Sequence, residues 1–527
     1  MQADTTQRGA DLLVRTLSRA GVTRIFGLSG NQIMPIFDAC LDAGIEIVHT
    51  RHEGAAVFMA EAYAQLTGTV GVALVTAGGG LTNATGALFS ARASDTPVLL
   101  LSGDSPLAQD GRGAFQELDQ ASITTPLTKL SFRAQTPSDL AEGITNALQT
   151  AQSGCPGPVH IALPFDLLHD ACTHPIPKPP TTDGTAVPDI TGITKALAQS
   201  AKPLILLGPS LTPTRAPGLH DALQHALQAP VLPMESPRGL NDPSLGDVRQ
   251  AVDQADLIVS LAKRIDFTLG FGAGPARWIV AHADQAEIDR AIHNLGDRLI
   301  AGLSVAPAPL IDALLSATGQ PARNAWLAQV EALTAKRPDA TPANDHITSD
   351  SLCMAVQQAL TNHPGSVVIS DGGEFGQWAQ ALTKTDARVI NGISGVIGGG
   401  LPYGIAACAA RPGVPVVVLS GDGSAGFHLS EFETAARADL PVLMVIGNDC
   451  RWNAEHQIQL RDYGPDRLSN CDLSPARYDL AAAALGAHGE YVTSPADLAP
   501  ALERALASGK PACINVMIHG LPAPSGH

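Results

Sequence analysis

Charge is scarce in this chain: only 16% of its 527 residues are Asp, Glu, Lys or Arg, against ~25% in an average globular domain. Of these, 33 are basic and 50 acidic, a net charge of −17. Clustered Lys and Arg, which phosphate-backbone neutralisation needs, are therefore missing, and a general nucleic-acid surface is excluded. No CxxC pair occurs among the eight cysteines, at 40, 155, 172, 353, 408, 450, 471 and 513. That spread excludes cysteine zinc sites and iron–sulfur clusters and predicts reduced, mostly buried thiols in a cytoplasmic protein. No run approaches ~20 apolar residues, so no membrane span is predicted. The polar stretch Met1–Ala10 lacks the apolar core of a secretory signal. What the chain does have is 45% hydrophobic residues, too many for disorder, and, at ~150 residues per domain, length enough for several cores. So little charge on so long a chain implies much surface hidden against copies of itself.

Two Pro-rich stretches without apolar periodicity read as semi-rigid linkers, Thr173–Asp189 and Ala335–His346. They divide the chain into segments 1–175, 188–335 and 346–527. Within each, short apolar runs alternate with Ala-rich stretches of helical period. Arg24–Gly27, Glu46–His49, Gly71–Thr76 and Pro97–Ser102 are predicted strands of the first segment, with helices at Asp11–Ala20 and Gly54–Thr67. Pro203–Leu207, Asp256–Leu261 and Trp278–His282 are predicted strands of the second. Ser366–Asp371, Val414–Ser420, Val442–Gly447 and Ala512–Met517 are those of the third. Strand–helix–strand alternation predicts parallel sheets covered on both faces. The fold class is therefore α/β, three consecutive doubly wound parallel-sheet domains.

The most informative stretch is Val414–Asn453. One apolar run ends in Gly421-Asp422-Gly423-Ser424, with a helix expected from about Ser424; a second ends in Gly447-Asn448-Asp449. In a parallel sheet these turns are neighbours at the carboxyl edge, where ligands bind. Gly421–Gly426 also satisfies GxGxxG, but a carboxylate aimed at a pyrophosphate repels it unless a cation lies between. Asp422 and Asp449 offer oxygen donors for a hard divalent ion, and the Ser424 turn can receive a phosphate. A metal-bridged diphosphate is the physical inference; two ordinary Gly-rich turns with solvated acids are the alternative.

Taken with that GDG and the Asn-Asn-like end one βα unit later, the chain resembles the thiamine-diphosphate enzymes, of the acetolactate synthase and 2-oxo acid decarboxylase kind. The family's pyrimidine-binding, middle and diphosphate-binding domains parallel the three segments. The resemblance implies thiamine diphosphate and Mg²⁺ as cofactors, a homodimer at least, and a homotetramer as the usual assembly. It implies that Glu53, in Arg51-His52-Glu53-Gly54, holds N1′ of the aminopyrimidine, although a strand-end Glu also suits a helix dipole. Gly395 and Ile397, in Gly395-Val-Ile-Gly-Gly-Gly-Leu-Pro402, would hold and bend the cofactor. Gly373, Asp422, Gly423 and Ser424 would cradle the diphosphate, and Asp422, Asp449 and the Arg451 carbonyl would hold the metal. Gln116 with Phe115, Asn83 and Asn31 would face the reacting carbon, or merely cap loops; His52, His428 and His456 are less decided. A His-His pair of the pyruvate decarboxylase type is missing.

Departures from the family are informative. Glu374-Phe375 stands where relatives often carry Gln-His, which implies phosphate contacts by backbone alone. Asp449 replaces an amide, and Arg451 could offset its charge. Leu207-Gly208-Pro209-Ser210 replaces a flavin-binding glycine turn, so no FAD is expected. Asp256 and Asp284 lack a nucleotide-binding context, and Lys263-Arg264 is the only adjacent basic pair of segment 188–335 for CoA or ADP. The expected chemistry is carbon–carbon bond cleavage or formation on a 2-oxo acid, decarboxylation with or without carboligation. The alternatives are cleavage of a 2-hydroxyacyl-CoA, whose branch the GND…W and DGGEF patterns resemble, and a non-catalytic cofactor-binding paralogue.

Overall fold

The computed structural model describes residues 6–177, 187–342 and 345–524. The remaining parts of both predicted linkers lie outside the described residues. Among the described residues, seventeen strands form three wholly parallel sheets. In the first, β1 (Arg24–Gly27), β2 (Glu46–His49), β3 (Gly71–Val75), β4 (Val98–Asp104), β5 (Ser131–Arg133) and β6 (Val159–Pro164) stand in the order 2-1-3-4-6-5. In the second, β7 (Pro203–Leu207), β8 (Val231–Pro233), β9 (Leu257–Leu261), β10 (Arg277–His282) and β11 (Leu299–Ser304) stand in the order 8-7-9-10-11. The third repeats the first: β12 (Val367–Asp371), β13 (Ala387–Ile390), β14 (Val416–Gly421), β15 (Leu443–Asn448), β16 (His488–Val492) and β17 (Ala512–Met517) follow the order 13-12-14-15-17-16. A two-residue antiparallel ribbon, Gln7–Arg8 with Ala171–Cys172, ties together the ends of the first segment.

The central strands are apolar on both faces because helices cover both, as a parallel sheet requires. Around the middle sheet, Leu204, Ile258 and Trp278 pack on one side, and Ile205, Val259 and Ile279 on the other. Compactness divides the chain into two units. One comprises residues 1–183, 401–412 and 428–440; the other comprises 184–400, 413–427 and 441–527. In the first unit the helix Glu53–Thr67 is buried almost all round, from Gly54 to Leu66, which explains its lack of an amphipathic pattern. None of the eight cysteines forms a disulfide. Among the described residues, no helix is long and apolar enough to cross a membrane.

Candidate active site

The carboxyl edge of the third sheet carries most of the predicted cofactor residues. Strands β14 and β15 pair in parallel with Gly421 opposite Gly447, so the turns holding Asp422 and Asp449 start side by side. Next to them, β12 places Asp371 opposite Ser420. A cavity of about 360 Å³ opens at this edge, and its walls include Gly373, Gly395, Ile397, Asp422, Gly423, Ser424, Asp449 and Arg451. Eight residues picked from four separate stretches of sequence thus converge on one hollow.

Its electrostatics are those of a cation site. Asp422 is 1% exposed, and its Oδ2 has no hydrogen-bond partner among the described residues. Burial, and then the charge of Asp449, push the Asp422 carboxyl up to about 7. Burial pushes Asp449 up to about 6, with Arg451 pulling the other way. A buried and a half-buried carboxyl at adjacent strand ends are hard oxygen donors. Cys450, in the left-handed region at φ +58°, makes the turn between Asp449 and Arg451. Leu473 N donates to Cys450 O at 2.6 Å and Trp452 N to Cys471 O at 2.8 Å, and neither bond takes up the Arg451 carbonyl. The donor set therefore fits a divalent ion: two carboxylates and one main-chain oxygen. The Arg451 guanidinium itself reaches Asp472 at 3.6 Å.

The phosphate side differs from the sequence expectation. The helix after β14 begins at Asp422, not near Ser424, and runs for only four residues, Asp422–Ala425. One turn carries little dipole. The ten-residue helix at this edge is Gly373–Leu382. It starts from Gly372, at φ +87°, where a Cβ would lie 2.2 Å from Ser424 Oγ. Its amino end and the Ser424 turn are therefore in close contact, and only glycine permits this. Phe375 packs against Gly447 and Glu374 is 2% exposed; both contribute to the cavity wall.

The sequence reading missed an anchor. Asp371 accepts hydrogen bonds from Gly398 N at 3.0 Å and Gly400 N at 2.8 Å, although burial pushes its carboxyl up to about 6. This carboxylate ties the glycine-rich loop to the end of β12 and so sets the half-buried Ile397 at the cavity. The SDGG stretch was legible as a strand and turn, but nothing local indicated what its acid would hold.

The carboxyl edge of the first sheet, in the other unit, gathers the remaining predictions. Glu53 opens the helix after β2, Asn83 lies in the helix Gly79–Ala93 after β3, and Asn31 begins a short turn of helix after β1. Asn83 Nδ2 donates to Glu53 Oε2 at 3.1 Å. Gln116, in the left-handed region at φ +61°, is held through its Oε1 by Gln32 Nε2 at 2.7 Å. Thr76 Oγ1 donates to Gln32 Oε1 at 2.7 Å. The structure thus joins Glu53 to Asn83, and Gln116 to Gln32. Asn31 is exposed and stands beside that pair without joining it. Gln32 was not anticipated, because its partners are 44 and 84 positions away. His52 caps its helix through Nδ1, accepting from Gly54 N at 3.0 Å, and meets His428 edge to face at 5.2 Å. His456 is elsewhere, in the helix Asn453–Tyr463.

The middle sheet uses its candidate residues structurally. Asp284 caps the helix Gln285–Leu295 through Ala286 N at 3.0 Å, and Asp256 binds the amides of Ala201 and Lys202. Lys263 is wholly buried, and Arg264 lies 3.4 Å from Glu287.

Comparison with known proteins agrees with this geometry. Residues 7–123 match the thiamine pyrophosphate enzyme N-terminal TPP binding domain. Residues 371–516 match the C-terminal TPP binding domain of the same enzymes. The chain is 31% identical to the acetolactate synthase large subunit IlvG of Mycobacterium tuberculosis, over 97% of this chain and 96% of that protein. It is also 31% identical to 2-hydroxyacyl-CoA lyase 2 of Bos taurus, over 92% of this chain and 85% of that one. With both binding domains matched and the likeness running nearly end to end, the chain belongs to the thiamine pyrophosphate enzymes.

Proposed function

We propose that the protein is a thiamine-diphosphate- and Mg²⁺-dependent enzyme that breaks or forms a carbon–carbon bond on a 2-oxo acid, with decarboxylation and, where a second carbonyl compound is accepted, carboligation. The observation that carries this is the Asp422–Asp449 pair, two desolvated carboxyls raised above their ordinary range and set beside a glycine cradle. When bound, the cofactor supplies the electron sink. Asp422, Asp449 and the Arg451 carbonyl hold the metal. Gly373, Gly423 and Ser424 present the diphosphate surface, and Gly395 and Ile397 contact and bend the cofactor. Glu53 holds a proton at N1′ of the aminopyrimidine, and its link to Asn83 keeps the carboxylate oriented. Gln116, positioned by Gln32, and the neighbouring Asn31 face the substrate. The working assembly is a homodimer at least, with a homotetramer expected, in the cytoplasm.

A second reading, cleavage of a 2-hydroxyacyl-CoA, is favoured by the same 31% identity to 2-hydroxyacyl-CoA lyase 2, over a somewhat smaller share of both chains. Thermal melts test the cofactor: a ligand at 100 times its Kd stabilises by ~2.7 kcal/mol, so Mg²⁺ with thiamine diphosphate raises Tm by several degrees and neither alone does so fully. An unchanged Tm with both present counts against the reading. A panel of 2-oxo acids and 2-hydroxyacyl-CoAs, scored for CO₂ and for aldehyde, then separates the two reactions. Size-exclusion with light scattering gives the assembly.

A further inference from the structure

The cavity is acidic where an anion has to enter. Glu374, Asp422, Asp449 and Glu455 all line it, against two cations, Arg238 and Arg451. A divalent metal offsets Asp422 and Asp449, and the Arg451 side chain, 45% exposed, is directed to Asp472. That leaves Glu455, which is exposed, and Glu374, which is buried in the first turn of the helix Gly373–Leu382, where a negative charge opposes a phosphate at that helix end.

Arg238 is the group placed to correct this. Ser236 Oγ bonds Gln380 Oε1 at 3.1 Å, while Arg238, two residues on, is close enough to feel the charge of Glu374. The segment 236–238 therefore runs along that helix toward its amino end, the end that abuts Ser424. The backbone there is fixed. Arg238 N donates to Ser236 Oγ at 3.2 Å, and Gly239, at φ +52°, leaves no room for a Cβ, which would lie 1.9 Å from Thr268 O. The Arg238 guanidinium is half-buried at the cavity wall and makes no side-chain hydrogen bond or ion pair among the described residues. A desolvated guanidinium without a partner is costly, and a bound phosphate would satisfy its planar fork.

We infer that Arg238 is a direct side-chain ligand of the cofactor's diphosphate, so that phosphate binding in this chain does not rest on metal and backbone alone. This rests on the thiamine diphosphate reading above. It also accounts for how a buried Glu374 is tolerated where relatives often carry Gln.

The test is calorimetric titration of the full-length, cofactor-free protein with thiamine diphosphate at fixed, saturating MgCl₂. Arg238→Met raises Kd by ~10–100-fold, the range for loss of a charge-assisted bond. Arg238→Lys recovers part of that loss, and Glu374→Gln alone tightens binding. The double variant Arg238→Met/Glu374→Gln stays within about threefold of Arg238→Met, because the phosphate has still lost its ligand. Full recovery in the double variant would mean that Arg238 only neutralises Glu374, and overturns the proposal. So does an unchanged Kd in Arg238→Met with a raised KM for an anionic substrate. Should Arg238→Met fail to fold, Arg238→Lys decides on the same titration: a Kd equal to wild type rejects direct ligation, and a raised one supports it. Wild type that takes up no thiamine diphosphate removes the cofactor reading itself, whereas tight wild-type binding with unaffected variants removes Arg238 alone.

Discussion

The first and third sheets share one strand order and present opposite chemistry at corresponding edges. On the first, the carboxylate of Glu53 meets the amide of Asn83, and Gln32 and Gln116 satisfy each other. On the third, burial raises both Asp422 and Asp449, and the charge of Asp449 raises Asp422 further. A doubly wound topology thus fixes where side chains converge, and leaves to the loops whether that place holds a single supported carboxylate or two neighbouring carboxyls.

The comparison breaks most severely at Glu53. Glu53→Gln keeps the shape and the Asn83 contact but removes the charge; turnover falls ~10²–10⁴-fold, as for loss of a proton-transfer group, while cofactor still raises Tm. Wild-type turnover in this variant would remove Glu53 from the chemistry. The third edge is probed next, by pH. In the unfolded chain both aspartates ionise near 3.8, whereas in the fold they hold protons to about 7 and about 6. Between these limits unfolding releases protons, so the stability of the metal-free protein falls as pH rises from about 4 to about 7 and then levels. The Tm gain on adding Mg²⁺ and thiamine diphosphate is accordingly larger at pH 8 than at pH 5.5; a gain independent of pH would contradict the uncompensated pair.

A smaller effect comes from Asp371→Ala, which strands the amides of Gly398 and Gly400 at about 1–3 kcal/mol each. Denaturant unfolding should show the loss, and Asp371→Asn should recover part of it. Smallest is Asn83→Ala, which takes one donor from Glu53 and costs about tenfold in kcat with Kd for the cofactor unchanged. If Kd moves and kcat does not, Asn83 supports the loop rather than the carboxylate.

Central strands were legible because full burial leaves uninterrupted apolar runs: β3, β4, β7, β9, β10, β12, β14, β15 and β17 lie within two residues of their predicted bounds. Strands such as β5, β13 and β16, half exposed at sheet edges, carry no such run. β6 is buried yet was missed; at its centre His160, wholly buried between Ser102 and Thr124, interrupts the apolar signal. Of the site, what lies in contiguous glycine–acid motifs was readable. Gln32, Asp371 and Arg238 were not, since each acts on residues far along the chain, or on another segment, and no local pattern marks that.

The two helical insertions 401–412 and 428–440 belong to the unit begun by the first segment. Tyr403 donates to the buried carboxylate of Glu61 at 2.8 Å, and Glu431 accepts from Arg51 N at 3.0 Å. During synthesis, a ribosome that has finished the first sheet must add more than two hundred further residues before these contacts can close. Until then Glu61 lacks one of its donors and the turn before Glu53 lacks its acceptor. The first segment by itself therefore carries two polar groups whose partners lie beyond the middle sheet, so its completion waits on chain made much later.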